Sequence, residues 1–138
     1  MNARRGGRIV RVVAVLVAAG LASAGTSCGG NPVPTAVTAV QAKALIDATA
    51  DLGIIDVSGA FAAGHLPGAV SLPLADGSLA AALPTLDRTR PWLVYCHSDA
   101  SGRTGAQMLL DEGMDDVFWL QGSYAAWVGA GYSVETGL

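Results

Sequence analysis

Cys96 is the residue in this chain best placed to do chemistry. A cysteine thiolate is a nucleophile, and it is favoured where backbone N–H groups or cations converge on the sulfur. Cys96 ends an apolar run, Trp92-Leu93-Val94-Tyr95, and opens a polar segment, His97-Ser98-Asp99-Ala100-Ser101-Gly102. An apolar helical pattern then follows from Ala106 to Leu110. A strand that stops at a cysteine, then a tight loop, then a helix, aims successive N–H groups at one sulfur. That arrangement stabilises a thiolate and binds anions. A free cysteine can also be a small buried core residue, but the position at a strand–helix turn favours a reactive role.

Few other side chains offer reactive groups. Asp56 closes the apolar stretch Gly53-Ile54-Ile55 and reads as a cap for local backbone N–H groups. His65 lies in the turn Gly64-His65-Leu66-Pro67-Gly68 and reads as structural, bonding to backbone groups. His97 either tunes the neighbouring thiol or points outward from a curled loop. Ser98 and Ser101 either donate hydrogen bonds to a sulfur-bound anion or cap the following helix. Trp92, Trp119 and Trp127 read as core. With two histidines and no clustered ligand spacing, no metal site is expected, and no cofactor.

These residues must be positioned by short alternating elements. The pattern predicts a helix over about 41–49, a strand over 53–57, a turn at 64–68 and a strand over 69–72. A weak helix at 79–86, broken by Pro84, and a strand over 92–95 follow. A helix over 104–112 is capped by Gly113, and the chain closes with a strand over 116–120 and a helix over 124–128. Alternation of this kind predicts an α/β fold with a mainly parallel central sheet. Sites in such sheets lie outside the carboxyl ends of the strands, where both Asp56 and Cys96 fall.

Charge divides the chain in two. Arg4, Arg5, Arg8 and Arg11 are followed by the apolar stretch from Val12 to Ala24, and no acidic residue precedes Asp47. Basic, then apolar, then small residues is the order of a secretory signal, expected over residues 1–27. Gly25-Thr26-Ser27-Cys28 is similar to a bacterial lipobox, with Gly25 where an aliphatic residue is usual. Cys28 is then the lipidated first residue of an exported, extracytoplasmic, membrane-anchored protein. Cleavage after Ala24, giving a secreted or periplasmic soluble protein, is the alternative. Residues 28–36, with Gly29-Gly30-Asn31-Pro32-Val33-Pro34, read as a flexible tether, and 37–138 as the domain. A Cys28–Cys96 disulfide is disfavoured, since one cysteine sits in a tether and the other in a cleft. From Cys28 onward Lys43, Arg88, Arg90 and Arg103 face all eleven acidic residues, a balance that argues against nucleic acid as a partner.

Four blocks of the domain belong together. They are Ile54-Ile55-Asp56-Val57, Phe61 to Pro73 with its core Gly64-His65-Leu66-Pro67-Gly68-Ala69, Leu93-Val94-Tyr95-Cys96, and Asp116 to Gly122 continuing through Ala126-Trp127 to Gly131-Tyr132. From about Val37 to Glu135 the chain thereby resembles a single rhodanese-like (sulfurtransferase) domain. The resemblance implies a three-layer α/β fold, with helices flanking a sheet of about five strands. It implies that Cys96 takes sulfane sulfur from a donor such as thiosulfate or a polysulfide, carries it as a persulfide, and passes it to a thiol or cyanide acceptor. The cradle would be formed by His97, Ser98, Asp99, Ala100, Ser101, Gly102 and Arg103. The implied partners are a small-molecule sulfur donor and a thiol acceptor, with the protein a monomer.

The loop departs from the family pattern Cys-x-x-Gly-x-Arg-Ser. Aligned without a gap, Asp99 stands at the Gly, Ser101 at the Arg and Gly102 at the Ser, so the loop keeps its length, loses its cation and gains an anion. A carboxylate there works against an anionic donor. Arg103 either swings toward the pocket in compensation or faces solvent. The usual Arg after Asp-Val is replaced by Ser58. These departures keep open a non-catalytic binding or sensing module at the cell surface. Phosphatase chemistry, known on the same fold, needs a Cys-x5-Arg loop; here six residues separate Cys96 from Arg103.

Overall fold

Gly53 to Val57 and Trp92 to Cys96 are buried without interruption, as strands must be when both faces of a parallel sheet are covered. The computed structural model describes residues 30–138; the expected signal segment 1–27 and Cys28 lie outside the described residues. The strands are β1 (Thr35–Val37), β2 (Gly53–Asp56), β3 (Val70–Ser71), β4 (Trp92–Tyr95) and β5 (Val117–Leu120). The helices are α1 (Ala39–Ala48), α2 (Ser78–Ala82), α3 (Asp99–Glu112) and α4 (Ser123–Gly129). The sheet runs β1-β5-β4-β2-β3 with every neighbouring pair parallel. The strand that leads into Cys96, β4, is therefore the central one.

Alternation along β4 divides the core between the two faces of the sheet. Trp92, Val94 and Cys96 pack with Ile55, Val57 and Leu79, under Ala106 and Leu109 of α3. Leu93 and Tyr95 point the other way, into Ala42 of α1, Leu66, Leu120 and Trp127 of α4. The result is the expected α/β three-layer arrangement.

Boundaries differ from the sequence expectation in three instructive places. The sheet begins at Thr35, inside the segment read as tether, because Thr35–Val37 pairs along β5 in register with Phe118–Leu120. Helix α1 begins at Ala39, two residues early. Thr38 caps it by a reciprocal box: its hydroxyl accepts the Gln41 N–H, and the Gln41 side chain accepts the Thr38 N–H.

The third difference concerns the site. Helix α3 starts at Asp99, not Thr104, so most of the expected loop is helix. Ser101, Gly102 and Gly105 are weak helix formers and disguise it. The glycines are there for closeness. A β-carbon on Gly102 would lie 3.3 Å from the Cys96 nitrogen, and one on Gly105 would lie 3.0 Å from Val57 Cγ1. At its other end Gly113, with φ 108°, donates its N–H to the Leu109 and Leu110 carbonyls as expected of a C-cap.

Candidate active site

Cys96 is the first residue after β4, and its free thiol is buried at 7% exposure. The turn that follows is only His97 and Ser98 before α3 begins. Ser98 takes the extended conformation of an N-cap, yet its side chain makes no capping bond. Its Oγ lies 4.0 Å from Cys96 Sγ instead. The first-turn N–H groups of α3, from Asp99, Ala100 and Ser101, have no partner within the helix. They carry the positive end of the helix dipole next to the cysteine turn.

The turn is tied from the side by the segment between β5 and α4. Tyr124 donates its N–H to the Cys96 carbonyl at 2.9 Å, and Gly122 donates its N–H to Asp99 Oδ1 at 2.8 Å. Between them Ser123 is the only non-glycine described with positive φ, at 61°, and it is buried. Strained backbone of this sort persists only where neighbours over-determine it. Gly122, Ser123 and Tyr124 are not among the site residues the sequence points to, although Gly122 closes the family block that begins at Asp116.

Asp56 ends β2 and is fully buried. Its Oδ1 accepts the Ser58 N–H at 2.8 Å. Its Oδ2 is buried without a hydrogen-bond partner, and His97 Nε2 stands 3.8 Å away. The His97 imidazole stacks on the Tyr124 ring with centroids 4.4 Å apart and 13° between planes. Tyr95 Oη accepts the Leu66 N–H at 3.0 Å. Burial pushes the Tyr95 hydroxyl well above the usual phenol range; the Leu66 N–H opposes that, and the nearby Asp56 charge adds to it.

The remaining candidates separate cleanly. Ser101 is half-buried in the first turn of α3, and Gly102 is buried against the cysteine backbone. Ala100 and Arg103 are exposed. The Asp99 carboxylate is engaged with Gly122 as a structural acceptor. His65 is buried and stacked on Phe61 with centroids 3.6 Å apart, with Nδ1 2.9 Å from the Phe61 carbonyl. Among the described residues no group of three or more His, Cys, Asp or Glu side chains could hold a metal ion.

The sequence model of the rhodanese-like domain matches residues 38–130. The chain belongs to the rhodanese-like domain family. The thiosulfate sulfurtransferase GlpE of Shewanella oneidensis is 36% identical over 76 residues, covering 54% of this chain and 73% of that protein. Among solved structures, the Alr3790 protein of Anabaena sp. superposes with a TM-score of 0.66 at 25% identity, covering 74% of this chain and 93% of that one. A thiosulfate sulfurtransferase from Pseudomonas aeruginosa gives a TM-score of 0.64 at 27% identity. It covers 76% of this chain but only 21% of that larger one. This rhodanese-like domain thus shares its fold with sulfurtransferases, and sulfur transfer is supported at the level of the family.

Proposed function

We infer that the protein is a sulfurtransferase that carries sulfane sulfur on Cys96. The observation that supports this most directly is a free thiol at the exit of the central strand, beside the uncapped first turn of α3. In the first half-reaction the Cys96 thiolate attacks the outer sulfur of thiosulfate. A new S–S bond forms, the donor's S–S bond breaks, and sulfite leaves with the bonding electron pair. The first-turn N–H groups of α3 hold the resulting persulfide anion. In the second, an acceptor thiolate attacks the terminal sulfur and Cys96 departs as thiolate, ready for another turn. With a polysulfide donor the leaving group is the shortened polysulfide. The basic, apolar, small order of the N-terminal residues supports an extracytoplasmic location for this chemistry, with a lipid on Cys28 as the membrane anchor.

A second reading is a binding or sensing module on the same fold. It is favoured by Ser101, which stands where active members carry a cation, and by the low exposure of the thiol. Intact mass after incubation with thiosulfate separates the two. The catalytic reading expects a gain of one sulfur atom, removable by cyanide and absent from Cys96→Ser. No gain from either thiosulfate or polysulfide, with Cys96 still open to alkylation, would sink it in favour of the binding module.

A further inference from the structure

Asp56 poses a problem that the sulfur chemistry leaves unused. It is a fully buried carboxylate whose Oδ2 has no hydrogen-bond partner; the neutral Tyr95 hydroxyl faces the carboxylate but leaves its charge uncompensated, a costly condition unless a cation is near. The one cation-capable side chain within 4 Å among the described residues is His97, the immediate neighbour of Cys96. Its ring is held in that direction by stacking on Tyr124, whose own N–H is bonded to the Cys96 carbonyl.

We propose that His97 is the switchable counter-charge of this site: protonated, it neutralises the buried Asp56 carboxylate, and by doing so it decides whether Cys96 admits an anionic reagent. This rests on Cys96 being the reacting group. The loop has Ser101 where the family pattern has its cation, so the local charge balance falls to the Asp56–His97 pair. With His97 protonated the pair is neutral. With His97 neutral an uncompensated negative charge remains beside the cysteine turn and repels anions. Uptake from an anionic donor is therefore weaker, relative to a neutral one, whenever the imidazole is uncharged, and pH is the lever that sets the charge of an imidazole.

The other groups facing His97 can be named. Tyr95 lies beside Asp56 on β4 and is held neutral by its burial. Tyr124 presents its ring face from α4. From α3, Asp99 is tied to Gly122 and Arg103 is exposed. Beyond Tyr124, whose hydroxyl packs on Gly64, the His65–Glu135 pair stands at 3.5 Å. Alkylation of any thiol depends on pH through its thiolate fraction, so the test must cancel that dependence.

Iodoacetate and iodoacetamide do this, because both react with the same thiolate and differ in charge. Their rates on the Cys96 peptide of the full chain would be measured by mass spectrometry across mildly acidic to mildly alkaline pH. The expected result is an iodoacetate-to-iodoacetamide ratio that falls about three- to tenfold with rising pH, the scale of one unit charge near a partly solvated site. In His97→Gln the ratio should be low and flat, and in His97→Lys high and flat. A wild-type ratio that stays flat, or an equal fall in His97→Gln, would overturn the proposal. No sulfur donor is involved, so failure of persulfide formation and failure of this charge switch are read separately.

Discussion

Both histidines of this domain stack on an aromatic ring and both approach a carboxylate, but their surroundings differ completely. His65 is buried on Phe61, with Nδ1 bonded to a carbonyl. Its backbone exchanges two hydrogen bonds with Glu135, at 2.9 and 2.8 Å, so it clasps the C-terminal tail to the turn after β2. The carboxylate it meets is exposed, and water can solvate that charge alone. His97 is the reverse case. Its ring is accessible, stacked on Tyr124, and the carboxylate it meets is sealed from water with one oxygen unsatisfied. A histidine is structural when its own polar atoms are all spoken for. It is available for control when the unmet demand belongs to its partner.

The sharpest way to break that contrast is to remove each ring. His65→Ala should lose about 2–4 kcal/mol, from lost packing and a lost buried hydrogen bond, seen as a fall in Tm. It should leave the pH dependence of the alkylation ratio intact. His97→Gln should destabilise less than His65→Ala, since His97 is exposed, while flattening that ratio. Equal destabilisation by the two would erase the distinction between clasp and control.

Tyr95 joins the two regions, since its hydroxyl accepts the Leu66 N–H beside His65 and lies close to Asp56 beside His97. Tyr95→Phe should cost about 1–2 kcal/mol at neutral pH, because the buried Leu66 N–H loses its acceptor. The alkaline response has the opposite sign. Burial raises the folded-state value for this hydroxyl, so the native state binds its proton more tightly than the unfolded chain does. Its contribution is whole below about pH 10, the unfolded phenol value. It shrinks as pH rises beyond that, through the window in which only the unfolded chain has lost the proton. Denaturant titrations should show the wild type losing stability above that pH more steeply than Tyr95→Phe. Equal slopes would remove Tyr95 from the account.

Much of this was legible because it is local. The apolar run before Cys96, the Gly113 cap and the alternation of elements each live within a few residues, and the fold follows from them. The misreadings also have local causes. Gly102 and Gly105 look like helix breakers, yet they are what lets α3 lie against β4 and β2, so the helix was begun five residues late. Strand β1 has three residues and no pattern of its own; its partner is β5, far along the chain. What could not be read at all is pairing between distant segments. Nothing near Asp56 announces that its free oxygen faces His97, and nothing near Asp99 announces Gly122.

Asp99 supplies the smallest and most discriminating test. Its sequence position suggests an anion that repels donors, whereas its Oδ1 accepts the Gly122 N–H and ties the cysteine turn to α4. Two substitutions part these roles. Asp99→Asn keeps an acceptor oxygen and removes the charge; Asp99→Ala removes both. If tethering dominates, Asn should stay within about 0.5 kcal/mol of wild type, and Ala should lose about 1 kcal/mol, as for an exposed side-chain bond to backbone. The iodoacetate-to-iodoacetamide ratio should rise less than about twofold in Asn, since an exposed, hydrogen-bonded carboxylate is screened by water. That is far below the change expected from His97→Gln, because Asp56 is buried and its charge is not screened in the same way. A larger rise in Asp99→Asn than the full pH-driven change in wild type would move control of the site from the buried carboxylate to the exposed one.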